Sequence, residues 1–146
     1  MAAERPAGPA LGYLLNDVVR LMKRDFYQRA TGLGLTPALS RLLFNVHRTP
    51  GSHQTELAHR LDVTPVTLCR MVDRLVERGY VRRQPDARDR RAVRIYVAAR
   101  GAPLVARMAR IADETYTRAL SGVAARERAA LIATLGKLAD NLSAGS

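Results

Sequence analysis

The chain has 146 residues, about one domain's length, with 24 Lys+Arg against 13 Asp+Glu and a net charge of +11, an excess that suits a polyanionic partner. Its single cysteine, Cys69, excludes an intrachain disulfide framework and a multi-cysteine zinc site, and a core of this size needs neither staple. No apolar run approaches the ~18 residues of a membrane span, and Met1–Pro9 lacks the charged-then-apolar order of a signal peptide, so a cytoplasmic location is expected.

Met1–Pro9, rich in Ala and Pro, is expected to fray. Leu11, Leu14, Leu15, Val18, Met22 and Phe26 then recur at helical spacing, predicting a helix over about 10–30 that breaks at Thr31-Gly32-Leu33-Gly34. Thr36-Pro37 starts a second helix: a hydroxyl cap, then Pro where its missing N–H costs nothing. That helix carries Leu39, Leu42, Leu43 and Val46 and stops before Thr49-Pro50-Gly51.

Two short helices follow. The first covers 54–61, capped by Ser52 or His53, with Glu56 able to fold back on the latter. Thr64-Pro65 opens the second, with Val63 and Leu68 placed to staple its start and Leu68, Val72 and Leu75 as its buried stripe. Arg78-Gly79 ends it, Gly supplying a left-handed cap.

The apolar period then changes from helical to alternating. Residues 80–84 and 92–97 read as two strands around a polar loop, with Val93, Ile95 and Val97 on one face and Arg94 and Tyr96 on the other. Two long helices close the chain, about 102–120 and 126–142, the last with a Leu131, Leu135, Leu138, Leu142 stripe. Pro103 pushes the start of the first of these to about Gly101 or bends it.

Helix, tight turn, helix and a basic hairpin form a winged helix-turn-helix. The second helix of such a pair fits the major groove, and the wing reaches the minor groove or backbone. Charge falls where this requires it. Residues 41–100 hold 13 Arg against 6 acids, and 82–94 alone hold six Arg against Asp86 and Asp89. Arg supplies 22 of the 24 cations, which codon bias explains in large part; it does not explain the net charge. The fold class expected is mainly α with a small two- or three-stranded β-wing.

The stretch GSHQTELAHRLDVTPVTLCRMVDRLVERGYVRR, and Asp89, Arg91 and Ile95 of PDARDRRAVRI, resemble the MarR family of bacterial regulators. The resemblance spans about 10–142. It implies one domain over 1–146, with a DNA-binding region at about 36–98 flanked by dimerisation helices at about 10–30 and 102–142. It further implies a homodimer on a pseudo-palindromic operator, acting as a repressor released by a small aromatic or phenolic ligand. The alternatives are a ligand-independent or Cys69-based redox-responsive DNA-binding protein, or a winged-helix protein-interaction module. Val97-Ala98-Ala99-Arg100-Gly101 departs from the family's Leu-Thr-x-x-Gly exit from the wing, and His53 and Ala124 replace Ser/Thr caps.

Thr67, Arg70 and Arg74, at i, i+3 and i+7, face away from the apolar stripe and toward the groove, where Arg70 can take a guanine bidentately. For Arg74 a surface pair with Asp73 or Glu77 is an equal alternative. Thr64 and Pro65 are expected at the DNA backbone, His53 and Gln54 at phosphates, and Arg88, Arg90 and Arg91 at the wing tip. Asp89 is expected to brace Arg91 or an arginine of the recognition helix. By resemblance Arg20, with Tyr13 and Phe44, lines an effector crevice. Cys69, between groove face and core face, reads mainly as an inert small hydrophobe. His47, His53 and His59 lack ligand spacing, and no catalytic constellation is visible, so no metal, cofactor or enzymatic activity is expected.

Overall fold

The computed structural model describes residues 7–144. The expected fraying of Met1–Pro9 lies outside these for residues 1–6; from Ala7 the chain is helical. Six helices and three strands follow in order: α1 (Ala7–Ala30), α2 (Pro37–Arg48), β1 (Ser52–His53), α3 (Gln54–Leu61), α4 (Pro65–Glu77), β2 (Val81–Pro85), β3 (Val93–Val97), α5 (Ala102–Ala119) and α6 (Ala125–Ser143). A 3-10 turn, Thr31–Leu33, ends α1, and Gly34 beyond it is left-handed at φ 71°.

The helix starts follow from local hydrogen bonding. Thr36 Oγ1 accepts the Leu39 N–H at 3.3 Å, and Thr64 Oγ1 accepts that of Thr67 at 3.2 Å, in each case satisfying an amide that no helical carbonyl reaches. At α3 the cap residue is His53, whose N–H is accepted by Glu56 Oε2 at 3.2 Å. Ser52 instead lies in β1. Helix α4 ends in a Schellman motif: the Tyr80 N–H bonds Leu75 O at 2.9 Å and the Gly79 N–H bonds Val76 O at 2.8 Å. Gly79 takes φ 73°, a conformation other L-residues resist.

The sheet has the order β1-β3-β2, antiparallel throughout, with Ser52 opposite Ile95 and Val81 opposite Val97. The sequence left the strand number at two or three; β1 supplies the third. Arg94 and Tyr96, on the face opposite Ile95, are half-buried, because the chain entering β1 crosses beside them. Arg94 donates to Gly51 O at 2.8 Å.

The core gathers Leu42, Leu43 and Val46 from α2, Leu57 from α3, Leu68, Val72 and Leu75 from α4, Ile95 from β3 and Met108 from α5. Helix α5 starts at Ala102 with Pro103 in its first turn, as the proline requires. Gly101 before it lies against the backbone of Tyr80, so closely that a Cβ would collide with the Tyr80 carbonyl. A carboxylate ties α1 to α5. Asp25 Oδ2 accepts from Thr115 Oγ1 at 2.8 Å and Arg29 Nε at 2.9 Å, and Oδ1 accepts from Arg118 Nη1 at 2.7 Å.

The outer helices bury little. Helix α6 has no buried residue; Ile132 is 70% exposed and Leu142 80%, and of the Leu131/135/138/142 stripe only Leu138 is even half-buried. On α1, Leu14 and Val18 are 63% and 50% exposed. No helix among the described residues is long and apolar enough to cross a membrane.

Candidate nucleic-acid interface

Helix α4 is pinned at both ends by its cap and Schellman motif and from below by Leu68, Val72 and Leu75. Its opposite face carries Thr67, Arg70 and Arg74, all exposed, with Thr64 and Pro65 exposed at its start. The Arg74–Asp73 alternative is not realised: Asp73 Oδ1 pairs with Arg83 Nη2 at 2.7 Å. Among the described residues neither Arg70 nor Arg74 forms an ion pair. Two charged forks thus stand on a rigid helix with their hydrogen-bonding capacity unused.

Arg88, Arg90 and Arg91 are exposed at the tip between β2 and β3, and their guanidiniums likewise form no ion pair among the described residues. Asp89 does not brace a guanidinium. Its Oδ1 accepts the backbone N–H of Arg91 at 2.9 Å, and its carbonyl accepts that of Ala92, so it shapes the turn itself. The reason is distance along the chain: a short carboxylate reaches the amide two residues on more readily than a long flexible side chain.

The brace is Asp86, which the sequence did not single out. It is buried at 8% exposure. Oδ1 accepts the Arg88 N–H at 2.8 Å; Oδ2 accepts from Arg94 Nε at 2.8 Å and meets His53 Nε2 at 2.7 Å. The Arg88 amide, then the His53 and Arg94 partners, hold its carboxyl far below the usual carboxylate range. One side chain thereby joins the wing loop, β3 and the β1–α3 junction. The signal for it was an Asp at the start of a polar turn, two residues before the amide it binds.

His53, expected at a phosphate, is therefore half-buried and engaged within the protein, with Nδ1 3.6 Å from Glu56 Oε1. Gln54 is half-buried with Oε1 accepting from Arg83 Nε at 2.9 Å. Cys69 is exposed rather than semi-buried, its Sγ 3.8 Å from Arg83 Nη2.

Of the three effector residues, Phe44 lines a cavity. It shares about 170 Å³ between α1, α2 and α5 with Met22, Phe26, Tyr27, Arg41 and Tyr116. Tyr13 is 75% exposed and Arg20 pairs with Asp17 at 3.2 Å on the outer face of α1, so neither belongs to it. Burial pushes the Tyr27 phenol up, with Arg41 opposing. Arg41 lies three residues before Phe44, on the same helical face, a spacing that could have found it. Among the described residues no group of three His, Cys, Asp or Glu is placed to hold a metal.

The two lowered carboxyls set an acid limit on stability. Hydrogen bonding to Thr115, then to Arg29, holds Asp25 below its ordinary value of 3.8. Folded pKa values below the unfolded ones mean that protons bind the unfolded chain first, so the stabilisation is complete above about pH 5 and is lost as pH falls below about 4. The expected melting temperature is flat from pH 7 to 5 with respect to these groups and falls below that; Asp25→Asn lowers it at pH 7 and flattens the acid limb.

A family model described as MarR family matches residues 33–92. The transcriptional regulator PA3341 is 31% identical with a TM-score of 0.82, over 91% of this chain and 98% of that one. A MarR-family transcriptional regulator from Silicibacter pomeroyi is 28% identical with a TM-score of 0.80, over 97% and 95%. A mutant MarR from E. coli complexed with operator DNA is 27% identical with a TM-score of 0.72, over 88% and 93%. With the capped helix pair, the three-stranded wing and the long flanking helices all in place, the chain belongs to the MarR family of transcriptional regulators.

Proposed function

We propose that the protein is a dimeric, sequence-specific DNA-binding regulator, acting as a repressor that a small aromatic acid releases. The observation that carries this is the set of exposed arginines, without an ion pair among the described residues, on two rigid supports: Arg70 and Arg74 on α4, and Arg88, Arg90 and Arg91 at the wing tip. Residues 36–98 form the DNA-reading unit, with α4 in the major groove and the tip at the minor groove or backbone. The related MarR bound to operator DNA supports this reading.

Dimerisation is supported by the apolar residues that α1 and α6 leave to solvent, Leu14, Val18, Ile132 and Leu142 among them, since exposed apolar faces of this kind mark interaction surfaces. A two-fold dimer reads half-sites about 10 bp apart. Light scattering is expected to give twice the 16.1 kDa of one chain; a stable species at that single mass at micromolar concentration overturns the dimer. The cavity beside Phe44, with the Arg41 cation among aromatic rings, suits a benzoate-sized acid. Such a ligand weakens DNA binding, and DNA weakens the ligand by the same factor.

The direct test is fragment selection from the source genome, followed by titration of the selected duplex against salt. Arg70→Ala is expected to cost about 1–3 kcal/mol and to relax preference at one base pair, whereas Arg90→Ala weakens all sequences alike and shallows the salt slope by about one. Absence of salt-dependent binding to any duplex overturns the reading.

A further inference from the structure

Arg83 is one of the six wing arginines, yet it does not point outward with those at the tip. It is half-buried between three elements. From β2 its Nε donates to Gln54 Oε1 on α3 at 2.9 Å, and its Nη2 pairs with Asp73 Oδ1 on α4 at 2.7 Å. The same Nη2 donates to the Cys69 carbonyl of α4 at 3.3 Å.

Cys69 and Asp73 are one turn apart, so the guanidinium grips one edge of α4. Each precedes a groove arginine by one residue, a rotation of about 100° about the helix axis. The grip therefore sets how far Arg70 and Arg74 are rolled toward or away from solvent. A 15° roll moves a side-chain atom 6 Å from the axis by about 1.5 Å, beyond the ~0.5 Å tolerance of a positioned contact.

We propose that Arg83 is a positioning residue for DNA reading: it touches no nucleic acid, but sets the roll of α4 and with it the placement of Arg70 and Arg74. This rests on the DNA-binding reading above. It differs from the view that wing arginines are a uniform phosphate-binding surface, and the two views predict different variants.

The probes are the duplex that the wild-type protein selects from its own genomic DNA and a scrambled duplex of equal length. Wild-type protein must bind the selected duplex more tightly than the scrambled one; if it binds neither, the DNA-binding reading itself fails. Given that preference, Arg83→Gln is expected to lower affinity for the selected duplex about tenfold, with affinity for the scrambled duplex and the salt slope little changed. A phosphate contact instead weakens both duplexes alike and shallows the slope by about one, which overturns the proposal. Equal loss on both with an unchanged slope assigns Arg83 to folding alone and also overturns it. Asp73→Asn, which keeps the fold of α4 but loosens the grip, is expected to reproduce the loss of preference. Retention of full preference in both variants rejects the clamp.

Discussion

Gly101→Ala is expected to lower stability by about 3 kcal/mol, the upper end for forcing an atom into a packed site, and the melting temperature by about 10 °C. Gly101 has φ −79° and ψ −24°, a backbone any residue adopts, so the requirement is for space alone. An added Cβ meets the carbonyl oxygen, carbonyl carbon and Cα of Tyr80, all backbone atoms that cannot swing aside. That carbonyl also accepts the Ala98 N–H at 2.9 Å, and Tyr80 N–H completes the Schellman motif of α4. Relief of the clash must therefore shift the start of α5 or the end of the recognition helix. Gly32→Ala, with nothing within 4 Å, is the control and is expected within ~0.5 kcal/mol of wild type. Thermal melts of the two variants decide it; equal behaviour shows that the Tyr80 crossing yields.

Asp86→Ala is expected to weaken DNA binding on the order of ten- to a hundredfold, the loss that follows when wing arginines lose their placement. It removes a negative charge from beside a polyanion, so simple electrostatics predicts the opposite sign. The geometric prediction prevails because Asp86 is the common acceptor for the Arg88 amide, Arg94 and His53. Without it Arg94 keeps only its bond to Gly51 O, and the loop carrying Arg88, Arg90 and Arg91 loses its anchor to β1 and α3. The melting temperature falls by several degrees as buried donors lose their partner. Asp86→Asn accepts from the same donors only in part and is expected to fall between. Asp89→Ala is expected to be milder, since it frees one turn amide, that of Arg91. A gain in affinity for Asp86→Ala refutes the brace.

Apart from those two sites, most of what the sequence made legible is local. Thr36-Pro37, Thr64-Pro65 and Arg78-Gly79 mark helix ends because the bonds that stop or start a helix span three to five residues. The apolar stripes of α2, α3 and α4 were legible for the same reason. Strand β1 was not separately legible: two residues carry no alternation, and Ser52–His53 is a strand only because β3, some forty residues later, lies beside it.

The candidate site divides along the same line. Thr67, Arg70 and Arg74 were placed on the exposed face from helical periodicity alone. The fates of His53 and Gln54 were not, because their partners Asp86 and Arg83 are 33 and 29 residues away. The wing braces changed places as well. Asp89 pairs with its own turn, and Asp86, buried by the chain entering β1, collects the arginine. On α1, the face carrying Tyr13 and Arg20 looks outward, and the cavity is lined instead by Met22, Phe26 and Tyr27.

Element type, helix ends, the apolar stripe of each helix and the excess of arginine were thus properties of the sequence by itself, since each depends on neighbours within a turn or on composition. The tertiary structure decided which arginines remain free and which are structural. Arg70, Arg74, Arg88, Arg90 and Arg91 and the clamps Arg83 and Arg94 are the same chemical group. What separates them is whether a carboxylate or carbonyl from a distant element stands within 3 Å, which only the folded chain can arrange.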